Sequence, residues 1–188
     1  YNCMTIRISL LPYGPSESCM ALRDAIREEI DSGRLDASIT LLRSEGSRYV
    51  ARPTDVVINY GNRRYPESFF GRARVLNSLP SLNRAANKLQ ALNTMAAAGV
   101  PTIEYTTQQQ IAQGWVEAGE TAYSRAVLNG HSGEGITVHT RDSDGSVPVI
   151  PQAPLYTKGI TSQRREWRVH VFGGVITYVQ RKIRRNGY

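Results

Sequence analysis

Cysteine is scarce in this chain: Cys3 and Cys19 are the whole complement. Two thiols are too few for a disulfide framework or a zinc site, and a reducing cytoplasm is the simplest compartment for them. The histidines add no metal site, because His139 and His170 stand at no metal-ligand spacing with each other or with the cysteines. Long apolar runs are missing too; none approaches the roughly 20 residues that cross a bilayer, so no membrane partner is expected. The opening Tyr1-Asn2-Cys3-Met4 has no basic stretch followed by an apolar one, and no signal peptide is read there. No Gly-x-x-x-x-Gly-Lys-Ser/Thr occurs, which excludes a Walker-type phosphate loop. No Ser/His/Asp set, internal repeat or low-complexity tract stands out. Acidic residues are nearly absent from one stretch. Residues 161–188 hold seven Lys and Arg (Arg164, Arg165, Arg168, Arg181, Lys182, Arg184, Arg185) against Glu166 alone. That stretch carries +6 of the formal +7, and the first 160 residues are almost neutral. Local excess of this kind points to a polyanion, either nucleic acid or nucleotide phosphates. A solvated basic strand end is the plain alternative.

What is present suffices for a sizeable core: 188 residues, 40 % of them hydrophobic, make one large domain or two small ones. Residues 4–11 alternate and are rich in Ile and Leu, which predicts a strand. From Ser18 to about Ile30 the spacing of Met20, Leu22, Ile26 and Ile30 predicts a helix ended by Gly33. Ile39–Leu42 and Asp55–Tyr60 read as two further strands. Strand, helix, strand, strand predicts a small α/β unit with a largely parallel sheet. The loop Gly61-Asn62-Arg63-Arg64-Tyr65-Pro66 would then leave the carboxyl end of a strand, where open α/β sheets place ligands.

The second half changes character. Ser81 to Leu92 predicts an Ala- and Leu-rich helix capped by Ser81 and stopped by Gly99, with Val100-Pro101-Thr102 leading out extended. A short helix is expected from Gln108 to about Ala118, then β-segments over 121–128, 136–140 and 166–182. Between the first two lies Gly130-His131-Ser132-Gly133-Glu134-Gly135-Ile136, and Arg125 stands on the strand before it. Glycines between strands free backbone amides to face an anion, and a nearby cation completes a phosphate site. A plain hairpin turn is the alternative there, and a lone loop histidine such as His131 is most often solvated. Gly173-Gly174 predicts a two-residue turn. The implied register sets Glu166 opposite Arg181, Arg168 opposite Val179 and His170 opposite Thr177. Glu166, Arg168, His170 and Arg181 would share a charged face, and Trp167, Val169, Val171, Ile176 and Tyr178 an apolar one.

The order of these parts resembles the ATP-grasp superfamily. Asn87-Lys88-Leu89-Gln90-Ala91-Leu92, followed by Ala98-Gly99-Val100-Pro101-Thr102, resembles the opening of its central domain. Arg125 with Gly133-Glu134-Gly135-Ile136 resembles its second cationic strand and flexible loop. Leu155-Tyr156-Thr157-Lys158 resembles its adenine-holding strand. Arg165-Glu166-Trp167-Arg168-Val169-His170-Val171 with Gln180-Arg181-Lys182 resembles the strands that present arginine to the reacting phosphate. The nearest variety is the carboxylate–amine ligase type found in bacteriophages and bacteria, and the resemblance runs over roughly residues 50–185.

The resemblance implies an α/β (α+β) ATP-grasp fold, with a small N-terminal α/β domain over 1–80 and, from 81 to 188, the central domain and the start of the C-terminal domain. It implies ATP and magnesium (Mg2+) as cofactors. Lys88 and Arg125 would hold phosphates, and Gly133, Glu134 and Gly135 would close over them. Tyr156, Thr157 and Lys158 would supply the adenine strand, and Arg168 and Arg181 would neutralise the transferred phosphoryl group. The usual lysine on the second strand is here Arg125, which binds phosphate with different geometry. The family's magnesium ligands, an Asp and a later Glu-x-Asn, do not occur before Tyr188. The chain is then a piece of a longer protein or a member without the metal site, and the unbalanced +6 favours the first. Phosphorylation of a carboxylate by Mg-ATP and attack by an amine would form an amide. The competing expectation is a non-catalytic nucleic-acid-binding or phage structural module using the basic hairpin, although few aromatics are placed there for base stacking. The two substrates and the oligomeric state, monomer or homo-oligomer, stay open at this level.

Overall fold

The computed structural model describes residues 5–130, 133–160 and 165–182; Cys3, His131, Arg164, Arg184 and Arg185 lie outside the described residues. The chain folds as two compact units, Tyr1–Ala91 and Leu92–Tyr188. No helix among the described residues is long and apolar enough to cross a membrane.

In the first unit, β1 (Ile6–Pro12), β2 (Ala37–Leu41), β3 (Val56–Tyr60) and β4 (Arg74–Leu76) form a parallel sheet in the order β2-β1-β3-β4. Helix α1 (Glu17–Asp31) makes the crossover from β1 to β2. It starts one residue before the predicted Ser18 because Ser16 caps it, its Oγ accepting from Cys19 N at 3.2 Å. A cap of this kind is worth about 1 kcal/mol. Met20, Leu22, Ile26 and Ile30 are the half-buried apolar positions of the helix, as their spacing requires, and Cys19 is buried. That burial pushes the Cys19 thiol pKa up. On one face of the sheet Leu11 and Val57 pack with Leu42 and Phe70, lined by Tyr49, Tyr65, Phe69, Ala73 and Val75. The short strand β4 and the 3-10 turn Glu67–Phe70 are too brief to show a period, and sequence reading missed both.

The helix predicted as one piece from Ser81 is two, α2 (Leu79–Ala86) and α3 (Lys88–Ala97). Asn87 breaks it with an extended ψ of 111°, and its Oδ1 accepts from Gln90 N at 3.0 Å, opening α3 with a new cap. The first helix starts after Ser78, so Ser81 is not its cap.

The second unit holds α4 (Gln109–Glu117), close to its predicted span, and an antiparallel sheet in the order β5-β8-β6-β7. The strands are β5 (Tyr105–Thr106), β6 (Ala122–Arg125), β7 (Ile136–His139) and β8 (Leu155–Lys158). Its core gathers Ala112, Trp115 and Val116 of α4, Ala122 and Tyr156 of the sheet, and Ile150 and Ala153 of the proline-rich connection. The connection is tied to α4 by Gln113, whose Oε1 accepts from Ile150 N at 2.9 Å and whose Nε2 donates to Pro148 O at 3.2 Å.

Strands β9 (Glu166–Phe172) and β10 (Val175–Lys182) form the predicted hairpin about Gly173-Gly174, with φ of 57° and 80° at the two glycines. The predicted register fails beyond the turn. A bulge at Thr177 shifts the pairing, so Tyr178 faces His170, Gln180 faces Arg168, Arg181 faces Trp167 and Lys182 faces Glu166. Every residue of both strands is exposed.

Candidate functional site

The second unit brings most of the predicted nucleotide residues onto adjoining strands. In the ladder Arg125 stands opposite Ile136 of β7 on one side and Leu155 of β8 on the other. Residues paired across a sheet share a face. Arg125 therefore sits on the same face as Tyr123, Val138 and Thr157, while Ala122, Ser124 and Tyr156 lie on the face that packs on α4. Arg125 is half-buried, and its side chain has no hydrogen-bond or ion-pair partner among the described residues.

The glycine-rich loop begins directly after Arg125. Its base is closed by Ala126 N donating to Gly135 O at 2.8 Å, and Ile136 N donates to Gly133 O at 3.2 Å. Gly133 and Gly135 take φ of 86° and 68°, which only glycine adopts freely. A Cβ on Gly135 would lie 2.9 Å from Val127 Cγ2 and 3.0 Å from Val127 N, so the two legs touch backbone to backbone. Glu134 is exposed between these two glycines.

Strand β8 lies between β5 and β6, and its ladder occupies both edges at Tyr156 and Thr157. Tyr156 is wholly buried; its Oη donates to Pro151 O at 2.8 Å and accepts from Ala153 N at 2.6 Å. Thr157 is also buried. Lys158 is half-buried, with Nζ 3.5 Å from Glu104 and 3.6 Å from Glu120, two acids to which sequence reading assigned no role. Sheet pairing ends there, with Lys158 N donating to Glu104 O and Gly159 N to Thr121 O. Behind Arg125, Ser124 Oγ lies 2.8 Å from His139 Nε2 in the buried layer, and burial lowers the His139 pKa.

Lys88 belongs to the first unit, at the start of α3 as its motif implies, and Nζ donates to Ala86 O at 3.3 Å. The two hairpin arginines are not brought together. Because of the bulge, Arg168 shares a face with Glu166, His170, Tyr178, Gln180 and Lys182, while Arg181 joins Trp167, Val169, Val171, Ile176 and Val179. Glu166 pairs with Lys182 at 2.5 Å in place of the predicted Arg181. Among the described residues no group of three or more His, Cys, Asp or Glu side chains is placed to hold a metal ion.

No family model matches this sequence, and no curated protein matches it. Solved structures do match by shape. D-alanyl-alanine synthetase A from Vibrio cholerae superposes with a TM-score of 0.58 at 15 % identity, over 97 % of this chain and 68 % of that one. The RimK domain ATP-grasp protein from Sphaerobacter thermophilus gives 0.57 at 13 % identity, over 94 % of this chain and 73 % of that one. An ADP complex of purK, N5-carboxyaminoimidazole ribonucleotide synthetase, gives 0.52 at 16 % identity, over 86 % of this chain and 48 % of that one. At such identities the likeness speaks for architecture and for nothing finer. The chain therefore has the ATP-grasp fold, of mixed α/β class, along nearly all of its length.

Proposed function

We propose that the chain is the nucleotide-binding part of an ATP-dependent carboxylate–amine ligase. The observation that carries this reading is Arg125: a half-buried cation without a partner among the described residues, at the root of a loop that needs glycine at 133 and 135, within an ATP-grasp fold. An arginine side chain with no counter-ion among the described residues is open to an anion from outside the chain. Phosphate oxygens fit its planar donor fork. That a structure of the same fold, purK, was solved as an ADP complex supports the choice of nucleotide.

In this reading the terminal phosphoryl group of ATP passes to a substrate carboxylate, giving an acylphosphate and ADP. An amine then attacks the acyl carbon, and phosphate leaves as the amide bond forms. Arg125 holds phosphate and Gly133-Glu134-Gly135 closes over it; for Lys88 the motif alone carries the assignment to a phosphate. The β8 strand of Tyr156, Thr157 and Lys158 borders the purine, with Tyr156 and Thr157 acting through the rigidity of the strand. Of the two hairpin arginines only one can face a given site, and Arg168, on the polar face, is assigned to the phosphoryl group. Catalysis rests on positioning and charge neutralisation, without a protein nucleophile. Magnesium would screen the phosphate charges, and its ligands are not assigned among the described residues.

The test is a thermal shift with Mg-ATP on the parent chain, Lys88→Ala and Arg125→Ala. Ligand at 100 times its dissociation constant stabilises a fold by about 2.7 kcal/mol. The parent is expected to shift and both variants to lose the shift. A parent that does not respond, or variants that respond fully, would sink the ligase reading. Binding of RNA or DNA with a steep salt dependence and no effect of ATP would replace it by the basic-hairpin module.

A further inference from the structure

One end of the sheet in the first unit is charged unevenly. Strands β1 to β4 are parallel, so their amino ends, at Ile6, Ala37, Val56 and Arg74, lie together. Helix α1 runs back from the carboxyl end of β1 to the amino end of β2, which brings its last turn to this same end, on the β2 side. That turn holds Glu28, Glu29 and Asp31 and no basic residue. The carboxyl end of a helix is the negative pole of its dipole, so these acids stand where cations are favoured. Arg34 offsets Glu29 by an ion pair at 2.6 Å. Glu28 and Asp31 are exposed, and their side chains have no partner among the described residues; Arg27, one turn before Asp31, does not pair with it.

The other side of this end is basic. Arg52 N donates to Asp55 Oδ2 at 2.9 Å and Arg74 N to Asp55 O at 3.0 Å, which sets both arginines around the start of β3. Gly71 lies against Ala51, where a Cβ would sit 3.8 Å from Ala51 O, and this brings the next residue, Arg72, beside them. Arg52, Arg72 and Arg74 are exposed, and their side chains have no partner among the described residues. Asp55, the acid in their midst, is buried and already paired with Arg7. Apolar surface lies between the two sides. Ile6, at the start of the inner strand β1, is 42 % exposed, and Val50, whose carbonyl accepts from Arg7 Nη2 at 2.8 Å, is 77 % exposed.

We infer that the amino end of this sheet is the contact surface of a two-fold dimer, its partner a second copy of this chain. A half-turn about an axis near Ile6 lays the acidic side of one copy on the basic side of the other. Glu28 and Asp31 then meet Arg52, Arg72 and Arg74 twice over, and Ile6 and Val50 of both copies meet between them. A contact that pairs one patch with itself in this way closes at two copies. An apolar centre inside a polar rim is the common anatomy of an interface, and arginine is the cation enriched there. A second copy supplies both complements at once, the acids at the wrong end of α1 included, which an acidic or a basic partner alone would not. Charges at a rim set register and salt dependence more than affinity, so the dimer is reversible and weakened by salt. The surface lies wholly in the first unit and does not rest on the nucleotide reading.

The test is sedimentation equilibrium of the full chain at about 0.02 M and about 0.5 M sodium chloride. A dimer is expected at the lower salt, with its dissociation constant rising about tenfold or more at the higher. Arg72→Glu with Arg74→Glu makes both sides acidic, and Glu28→Arg with Asp31→Arg makes both sides basic. Each double variant should be monomeric alone, and an equimolar mixture of the two should form a dimer again. Arg43→Glu with Arg63→Glu changes the charge by the same amount at the carboxyl end of the sheet and should leave the dimer as in the parent. Circular dichroism reports whether each variant is folded, and recovery in the mixture requires that both are. A parent that stays monomeric at low salt would overturn the inference, and so would a mixture that stays monomeric. Association that strengthens with salt would overturn it in favour of the exposed apolar residues of the hairpin. A mass that climbs past the dimer would overturn the two-fold arrangement.

Discussion

The parallel sheet of the first unit is closed by polar side chains at both ends, and the two ends use them differently. At the amino end a charge is neutralised. Asp55 is buried, and its Oδ2 accepts from Arg7 Nε at 3.0 Å, from Arg7 Nη2, from Tyr49 Oη at 2.7 Å and from Arg52 N at 2.9 Å. The Arg7 guanidinium also lies 4.9 Å over the Tyr49 ring and donates to Val50 O at 2.8 Å. At the carboxyl end neutral amides do the holding: buried Asn62 donates from Nδ2 to Pro12 O at 2.7 Å and to Ser44 O at 3.0 Å, and its Oδ1 accepts from Arg64 N at 2.8 Å. The amino end is a clamp made with charge, and the carboxyl end is one made without it.

The sharpest way to break that contrast is to remove Asp55. Asp55→Ala leaves Arg7, Tyr49 Oη and Arg52 N without their acceptor, and a cost of about 3 kcal/mol is expected. Both tryptophans, Trp115 and Trp167, belong to the second unit, so fluorescence would miss the loss. Hydrogen exchange at the amides of β1 and β3 reads it directly. The same group sets a pH window. Burial pushes the Asp55 carboxyl up, but the hydrogen bonds from Arg7, Arg52 and Tyr49 outweigh it and hold the pKa at about 2, against an ordinary 3.8. The folded pKa is depressed, so its stabilisation is complete above about pH 4 and is lost as pH falls through 2. The size is about 2 kcal/mol. Protection of β1 and β3 should fall over that range in the parent and not in Asp55→Ala. Equal acid sensitivity in both would show that the clamp is not an ion pair.

Asn62→Ala attacks the other end. It strands Pro12 O, Ser44 O and Arg64 N in or near the buried layer, and a cost of about 2 kcal/mol is expected. Its signature differs from that of Asp55→Ala: the acid sensitivity of the parent is kept. Loss of that acid sensitivity in Asn62→Ala would show that the two ends are not held by different means.

The contrast was only half legible in the sequence. Periodic segments announced themselves: β1, α1 and β3 fall within a residue or two of their expected limits, whereas the four-residue β8 was expected only from the resemblance. The loop after β3 was read as a ligand position from strand order alone. The amide lattice was not legible, because Asn62 bonds Pro12 across fifty residues and no local pattern records such a contact. Strands β4 and β5, of three and two residues, are shorter than any period. In the hairpin, Gly173-Gly174 fixed the turn, yet nothing around Thr177 marks a bulge, and that single extra residue moved Arg181 to the apolar face. In the second unit Arg125 and the glycine loop could be picked out by type and order. That Arg125 lacks a partner among the described residues while Lys158 has two could not, since partners come from the tertiary fold.

The smallest expected effect on stability separates the frame from the charges it carries. Arg63 is exposed and its side chain makes no hydrogen bond or ion pair among the described residues, so Arg63→Gln should leave the exchange-derived stability of the first unit within about 0.5 kcal/mol of the parent. A clamp residue cannot be removed so cheaply, because its removal strands the groups it was holding. If Arg63→Gln instead lowered stability as Asn62→Ala does, Arg63 would be holding the loop, and the carboxyl end would depend on charge as the amino end does.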